Sequence, residues 1–327
     1  MRLIRGLTNI TARDRPAVVS IGNFDGVHLG HQEMLKRLCE RAAELGRPTA
    51  LVTFEPLPQE FFAAAAAPAR LMGLREKLQY LARHSDLDAV LCLRFDQRFS
   101  LYSAEQFVAE VLVEGLRAQH VLLGDDFRFG HQRRGDIHLL ERMGAASGFT
   151  VEAMPSFTLD GQRVSSTAVR RALAAGDLAA AGRLLGRPYC LSGRVVRGDQ
   201  LGRTLGFATA NIHLRQRPLA LSGVFAVMVS GVADTALPGM ANIGWRPTVG
   251  GRERRFEVHV FDLEADLYGR HIEVAFVAKL REEQGFASLA ALKAQLAVDE
   301  QAARQQLSDF FNVERRSLPS RRGDDHR

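Results

Sequence analysis

Two histidines near the N-terminus, His28 and His31, have the residue type and spacing of groups that handle phosphate. They follow a β-branched run that ends at Gly22, and helix formers with apolar residues at helical spacing follow them. The pattern predicts a buried strand, a glycine-bounded loop and a helix whose first turn carries both imidazoles on one side. Unpaired N–H groups and partial positive charge at a helix N-terminus suit an anion, commonly phosphate. A capping histidine beside an unrelated neighbour is the alternative interpretation.

The first half of the chain alternates between strand and helix patterns, and polar loops follow several of the strands. This alternation is typical of an α/β fold with a parallel, doubly wound sheet, in which ligands bind beyond the carboxyl ends of the strands. The loops 22–26 and 124–130 are therefore predicted to lie at the same edge as the two histidines. Asp126 offers an acceptor there and Arg128 a partner for phosphate, although aspartate and glycine also form ordinary turns. The predicted strands are 18–21, 49–54, 88–95 and 119–123.

A third polar loop, Ser165-Ser166-Thr167, precedes a predicted helix that runs to Ala175. Hydroxyls at a helix N-cap, with Arg170 one turn into the helix, form a cradle for an anion. A plain capped helix with exposed arginines is the alternative for this loop alone. Three such loops at one edge of a sheet favour a nucleotide site over three unrelated turns.

The length and composition are typical of a globular enzyme with two domains. The chain has 327 residues, of which 46% are hydrophobic and 24% are charged. It has no run of about 18 apolar residues that could span a membrane, and its N-terminus lacks the apolar segment of a secretory signal. Cys39, Cys92 and Cys190 match neither a disulfide framework nor a zinc site. We therefore expect a cytoplasmic enzyme with no membrane partner.

The net charge of +6 raises the question of a nucleic-acid partner, because arginine-rich surfaces bind polyanions. The basic residues are dispersed, however, and no basic stripe interleaved with aromatic residues is present. The charge therefore favours a mildly basic enzyme with anionic substrates and no nucleic-acid partner. A nucleic-acid-binding protein is the alternative.

Beyond residue 186 the pattern changes to short strands separated by glycine turns. Short strands without helices between them predict a closed or nearly closed antiparallel β-barrel. An apolar stripe predicts a final helix over 288–307 that packs across the barrel. The sequence from 313 has neither periodicity nor core residues, which predicts a disordered tail. The predicted domains are 1–186, 187–312 and the tail 313–327.

A glycine-rich loop, 198–211, offers a different way to hold a nucleotide. Gly198, Gly202 and Gly206 allow backbone N–H groups to approach a ligand, and Arg203 can contact phosphate. The chain has no Walker A motif, so a second nucleotide requires a cradle of this kind.

Oxygen-bearing side chains lie at the end of this loop, at the spacing of an extended chain. Thr209 and Asn211 are two residues apart, which places both oxygens on one side and suits Mg²⁺. Polar residues of an edge strand are the alternative. Further on, alternation places Glu257, His259 and Phe261 on one face of a strand. Glu257 is either a solvated barrel residue or a base that accepts a proton from an attacking hydroxyl.

The segments GNFDGVHLGH, FEPLP, GDDFRFG and SSTAVR resemble the adenylyltransferase half of the bacterial bifunctional riboflavin kinase and FMN adenylyltransferase (FAD synthetase) family. The resemblance implies that His28 and His31 are catalytic and that Asp126 and Arg128 contact the flavin. The ATP-binding residues that it implies are Gly22, Phe24, Asp25, Ser165, Ser166, Thr167 and Arg170. The chain departs from the family at Leu57, where histidine is usual.

The segments GDQLGRTLGFATAN, ANIGWRPTVG, FEVHVFD and DLYG resemble the riboflavin kinase module of the same family. The resemblance implies that Thr209 and Asn211 contact Mg²⁺ and ATP and that Glu257 is the base. The loop that it implies for the ATP phosphates comprises Gly198, Gly202, Arg203 and Gly206. Ala208 stands where the family's P-T-A-N motif has proline, so a fixed φ is lost and the loop is less pre-organised.

The two resemblances together imply an enzyme that makes FMN from riboflavin and ATP, and then FAD from FMN and a second ATP. An enzyme with only one live activity is an alternative that Ala208 raises. The expected cofactor is Mg²⁺, and the expected partners are the small molecules riboflavin, FMN and ATP.

Overall fold

The computed structural model describes residues 1–63, 66–198, 202, 205–214, 218–248 and 251–317. The chain divides into two compact units, Met1–Val169 and Arg170–Arg327. The division falls inside a helix, Ser166–Ala174, that follows the third polar loop. In the described ranges, no helix is long and apolar enough to cross a membrane.

The first unit is built on a six-stranded parallel sheet in the order β1-β4-β3-β2-β5-β6. Its strands are β1 Arg2–Arg5, β2 Val18–Ile21, β3 Thr49–Glu55, β4 Ala89–Arg94, β5 His120–Gly124 and β6 Thr150–Met154. A small antiparallel pair, β7 Thr158–Leu159 and β8 Gln162–Arg163, lies outside this sheet. The expected α/β class is confirmed. The sequence patterns missed β1 and β6, which form the two edges of the sheet.

Helices cover both faces of the sheet. They are α1 Leu29–Leu45, α2 Pro58–Phe62, α3 Leu74–His84, α4 Gln97–Ser100, α5 Ala104–Phe107 and α6 Ile137–Ser147. Successive residues of β2 point to opposite sides: Val18 packs in a cluster with Leu38 of α1, and Val19 packs in another with Phe107 of α5. This burial on both faces explains why the central strands are almost continuously apolar.

The helix that follows β4 and α4 changes type along its length. Ser103 and Gln106 form a capping box, with the Ser103 hydroxyl accepting from the Gln106 N–H at 3.1 Å. After α5, residues Val108–Gly115 continue as a π-helix, a geometry that the apolar spacing does not reveal.

The second unit is a closed antiparallel barrel in the order β10-β13-β12-β11-β14-β9. Its strands are β9 Tyr189–Val196, β10 Ala210–His213, β11 Gly223–Ser230, β12 Leu237–Thr248, β13 Gly251–Val260 and β14 His271–Arg281. Two helices precede them, α7 Ser166–Ala174 and α8 Leu178–Leu185. Phe225, Phe256, Phe276 and Val258 are almost fully buried. The expected barrel is confirmed, while β10 and β12 were not predicted as strands.

The final helix, α9, spans Leu289–Ser317 and packs on β11, β12 and β14. Ala303 and Leu307 of α9 join a buried cluster with Phe207 and Met240. The helix continues beyond its predicted end at 307, so the expectation of disorder is wrong for 313–317. The physical reason is that no glycine or proline interrupts the sequence between Leu289 and Pro319. Residues 318–327 lie outside the described part of the chain.

Candidate active sites

The two histidines of the first unit form a stacked pair at the start of α1. His28 is the N-cap residue, and its Nδ1 accepts a hydrogen bond from the His31 N–H at 3.3 Å. The two rings are stacked with centroids 3.6 Å apart, and the Phe24 ring lies 4.6 Å from that of His31. His28 therefore caps the helix and also lies against His31, so the two interpretations of its sequence position are compatible.

Burial decides the charge of His31. Its pKa lies well below the ordinary value, chiefly because burial penalises the imidazolium, with His28 and Lys77 as further positive neighbours. His31 is therefore neutral near pH 7 and can act as a hydrogen-bonding group but not as a fixed charge. Its buried Nδ1 has no hydrogen-bond partner among the described residues. A ligand that reached this atom would satisfy it.

Gly30, one of the two residues between the histidines, leaves little room for a side chain. A Cβ on Gly30 would lie 3.3 Å from the Phe157 Cβ and 3.4 Å from the His28 ring. Glycine at this position lets the ring pair pack closely against Phe157.

The loop before α1 holds an unusual backbone shape. Phe24 and Val27 have left-handed φ values of 46° and 41°, which are rare for residues that are not glycine. The Asp25 carboxylate accepts the N–H groups of Leu71 and Met72, each at 3.1 Å. These contacts tie the loop to the segment that precedes α3, and the Asp25 side chain is almost fully buried. The Asp25 side chain thus anchors the loop.

The third polar loop meets the first one. The Ser166 hydroxyl donates to the Asp25 carbonyl at 2.8 Å. The Ser165 hydroxyl accepts from the Ala168 N–H at 3.2 Å, in the manner of an N-cap. Thr167 is exposed, and Arg170 follows Ser166 by one turn of α7 as the first residue of the second unit. The structure therefore brings the loops 22–26 and 165–167 together, as the sequence predicts.

An aromatic cavity of about 840 Å³ opens beside Gly22 and Asn23. Asp126 and Arg128 line it, and each is paired: Asp126 with Arg163 at 2.5 Å, and Arg128 with Asp136 at 2.9 Å. The aromatic rings that line the cavity are Phe54, Phe62, Phe95, Phe99, Tyr102, Phe107, Phe127 and Phe129. Such a cavity suits a large planar ring. The sequence interpretation missed these aromatic residues because they come from separate segments of the chain.

In the barrel, three polar residues lie side by side on neighbouring strands. Asn211 of β10 pairs directly with Glu257 of β13, and Glu257 pairs directly with Asn242 of β12. Residues directly opposite each other in a sheet share a face, so this polar row faces one cavity, of about 330 Å³. The Asn242 Oδ1 atom is buried and has no partner among the described residues. Asn242 is a site residue that the sequence interpretation missed.

Glu257 is held by a neighbour on its own strand. The Arg255 guanidinium donates to a Glu257 carboxylate oxygen at 3.3 Å, and both side chains are about one quarter exposed. Glu257 is therefore open to the cavity, as a base for an incoming hydroxyl must be. Phe256 and Val258, which alternate with Glu257 along β13, are almost fully buried.

The glycine loop lies directly against the predicted metal ligands. A Cβ on Gly198 would overlap the Asn211 amide, and one on Gly202 would lie 3.2 Å from the Thr209 hydroxyl. Gly206 adopts a left-handed φ of 90°. Arg203, predicted to contact phosphate, lies outside the described residues.

Thr209 borders two cavities. It lines the cavity of the polar row and also a second one, of about 630 Å³, bounded by the segment 263–268. His259 fixes the adjacent residue, because its Nδ1 lies 2.8 Å from the Ala208 carbonyl. This contact anchors the loop at the position where the family's motif has proline.

The donor set fits a hydrated magnesium ion. No group of three or more histidine, cysteine or acidic residues in the described ranges could hold a metal. Thr209 and Asn211 offer two neutral oxygens, and Glu257 offers a carboxylate in the same cavity. Mg²⁺ commonly keeps several waters and takes few protein ligands beside phosphate oxygens, so this sparse set is of the kind that it uses.

The first unit combines a helix N-terminus and an imidazole pair with an aromatic cavity, and the barrel combines a glycine loop with a carboxylate. This combination defines a transferase with two separate phosphate-handling sites. A family profile described as FAD synthetase matches residues 10–168, and another described as riboflavin kinase matches residues 185–307.

Curated relatives match over nearly the full length. The chain is 51% identical to the bifunctional riboflavin kinase/FMN adenylyltransferase of Escherichia coli (strain K12), over 96% of this chain and 99% of that protein. It is 52% identical to the protein of the same description from Pseudomonas fluorescens, over 93% and 97%. A solved structure described as a macrolide-efflux protein from Streptococcus pneumoniae is 28% identical, with a TM-score of 0.79, and covers 93% of this chain and 99% of its own. The chain belongs to the bifunctional riboflavin kinase/FMN adenylyltransferase family.

Proposed function

We propose that this protein makes FAD in two steps. The barrel transfers the γ-phosphate of ATP to riboflavin, giving FMN and ADP. The first unit then transfers AMP from a second ATP to FMN, giving FAD and pyrophosphate. The observation that carries the proposal is that each unit pairs phosphate-handling groups with an adjacent cavity of its own.

In the kinase step, Glu257 accepts the proton of the terminal ribityl hydroxyl of riboflavin. The oxygen then attacks the γ-phosphorus, and ADP leaves with the electrons of the broken bond. Arg255 keeps the Glu257 carboxylate in place. The Asn242 amide orients the ribityl hydroxyl, either directly or through a bridging water. Thr209 and Asn211 would hold Mg²⁺, which when bound would offset the negative charge of the ATP phosphates.

The two cavities that Thr209 borders support this geometry. The smaller cavity has apolar walls from Phe286, Leu292 and Leu296 beside the polar row, and we assign it to riboflavin. The cavity under the segment 263–268 is assigned to ATP. The transferred phosphate would then pass beside Thr209, with Gly198, Gly202 and Gly206 leaving space for the phosphate chain. Arg203 is a further proposed phosphate contact.

In the adenylyl-transfer step, an FMN phosphate oxygen attacks the α-phosphorus of ATP, and pyrophosphate leaves. The helix N-terminus and the two imidazoles of His28 and His31 stabilise the charge that develops on the phosphate oxygens. Because His31 is neutral, it contributes a hydrogen bond and not a full charge. Arg170 is proposed to contact the phosphates, while the flavin ring occupies the aromatic cavity beside Asp126 and Arg128. No covalent enzyme intermediate is needed.

The remaining ATP contacts in the first unit are proposed for the backbone of Gly22 and Phe24 and the hydroxyls of the 165–167 loop. We also propose a domain boundary at residue 186, which the family matches to 10–168 and 185–307 support. A cytoplasmic location is proposed as well. The three cysteines, which are unpaired in the structure, are compatible with a reducing compartment.

The proposal is tested by supplying each substrate separately. Riboflavin with ATP and Mg²⁺ should yield FMN and FAD, and FMN with ATP and Mg²⁺ should yield FAD and pyrophosphate, as separated by chromatography. Omitting Mg²⁺ should stop FMN formation. An enzyme with one live activity would complete only one of the two conversions.

A further inference from the structure

Helix α3 carries a buried lysine that the mechanism above does not use. Lys77 is 2% exposed, although lysine is rarely buried without a specific partner. Its Nζ donates to the Asn23 carbonyl at 2.5 Å and lies 3.4 Å from the Thr53 hydroxyl. Asn23 belongs to the loop that connects β2 to the histidine pair.

This contact fastens a loop that does not hold its shape by itself. The left-handed φ values of Phe24 and Val27 are costly and persist only where neighbouring groups fix them. The Asp25 carboxylate fixes one part of the loop through two N–H groups. Lys77 fixes the other part through the Asn23 carbonyl, with Thr53 donating to the same oxygen at 3.4 Å.

Lys77 also places a positive charge close enough to His31 to lower the pKa of that imidazole. The charged and titratable groups that act on it come from the first loop, the segment before α3, β3, β4 and α1. They are Asp25, Arg70, Glu55, Cys92 and His31. Arg70 is already paired with Glu55 at 3.0 Å and with Glu60 at 2.5 Å.

Burial and these neighbours set the protonation of Lys77. Burial lowers its pKa to about 8, with Asp25 and Glu55 partly opposing that shift. Lys77 is therefore mostly an ammonium at pH 7 and loses its charge as the pH rises through about 8. Its charge in turn helps to lower the pKa of His31.

We propose that Lys77 is a positioning residue of the adenylyl-transfer site, whose ammonium fixes the Asn23 peptide and supplies a buried positive charge beneath the triphosphate. The inference rests on the function proposed for the first unit. A buried charge close to the phosphates acts strongly on a polyanion because little water screens it. It also adds to the effect of burial that lowers the pKa of His31.

The experiment compares Lys77→Met, which removes donor and charge, with Lys77→Gln, which keeps an N–H donor without the charge. Lys36→Met is the matched control, because the Lys36 side chain is 67% exposed on α1. We expect kcat/KM for converting FMN to FAD to fall about 100-fold in Lys77→Met and about 10-fold in Lys77→Gln. Riboflavin phosphorylation by the same chains, and both activities of Lys36→Met, should be unchanged.

Two readouts separate positioning from a merely structural role. In wild type, kcat/KM for adenylyl transfer should fall as the pH rises through about 8, and this limb should be absent from both Lys77 variants. The melting temperature of Lys77→Gln should stay close to that of wild type, because its amide N–H can still donate to the Asn23 carbonyl, so its loss of rate reports the missing charge and not a loss of fold.

Normal FAD formation by Lys77→Met would overturn the inference, and so would a lost rate that merely follows a lowered melting temperature. If the variants do not fold, the wild-type profile decides, because a flat rate between pH 7 and 9 contradicts a titrating Lys77. Failure of wild type to convert FMN to FAD would instead overturn the function proposed for the first unit.

Discussion

The two proposed sites use different chemical groups to bind the same co-substrate, ATP. In the first unit, we propose that a helix N-terminus, stacked imidazoles and a buried lysine bind the phosphates, and both histidines lie in one segment that follows a strand end. In the barrel, a glycine loop and neutral oxygens surround one carboxylate, and the site residues come from three paired strands. The difference follows from the folds, because a parallel sheet presents helix N-termini at its carboxyl edge and an antiparallel barrel does not.

The chemistry of each step matches the groups that we propose for its site. Riboflavin offers a hydroxyl that must lose a proton, and Glu257 is the base that we propose in the barrel. FMN offers a phosphate that is already an anion, so the first unit needs no base and provides hydrogen bonds and positive potential. Each site should therefore fail alone when its own residues are changed.

The largest expected effect is that of His28→Ala. FAD formation from FMN should fall about 1,000-fold, because one phosphate-binding group and the cap of α1 are both lost. Riboflavin phosphorylation should stay within about twofold of wild type, since the barrel is untouched. Product chromatography after separate incubations measures both steps. Normal FAD formation would remove His28 from the site.

Glu257→Gln tests the opposite half of the comparison. Riboflavin phosphorylation should fall about 500-fold because the amide cannot accept the hydroxyl proton. The variant should still convert supplied FMN to FAD at the normal rate. If Glu257→Gln phosphorylates riboflavin as wild type does, the base is another residue.

Asn242→Ala sharpens the account of the polar row. We expect riboflavin phosphorylation to fall about 10-fold, the loss of roughly one hydrogen bond to a bound group. FMN conversion to FAD in the same chain is the internal control. An unchanged rate of phosphorylation would show that the buried Asn242 oxygen does not contact the substrates.

The smallest effect is expected for Ala208→Pro, which restores the residue usual in the family. It should raise the free energy of unfolding of the barrel by about 0.5 kcal/mol, because proline restricts the unfolded chain while the carbonyl that His259 contacts is kept. Denaturant unfolding measures this change. A loss of more than about 1 kcal/mol would mean that the backbone at 208 does not suit proline.

Local sequence patterns predicted the structural positions of some of these residues and missed others. His28 and His31 were placed correctly because helix period and strand pattern act within a few residues of them. The face of Glu257 followed from alternation along one strand. Asn242 could not be found in this way, because its place beside Glu257 depends on the register between β12 and β13. The aromatic cavity was missed for the same reason, since its rings come from distant segments.

The end of the last helix and the burial of Lys77 are further features that local sequence patterns did not predict. Polar composition after 313 predicts disorder, whereas α9 continues to Ser317 because no helix breaker precedes Pro319. Lys77 lies on α3, and helical periodicity predicts no more than the helix itself. The burial of Lys77 depends on packing against the loop that contains Asn23, and no local periodicity reports that packing.

The central claim, two independent sites in one chain, is tested most directly by mixing His28→Ala with Glu257→Gln and supplying riboflavin, ATP and Mg²⁺. Each variant alone should form almost no FAD from riboflavin. The mixture should form FAD, because FMN released by the barrel of His28→Ala can enter the first unit of Glu257→Gln. A mixture that forms no more FAD than the separate variants, although each retains its other activity, would contradict the account.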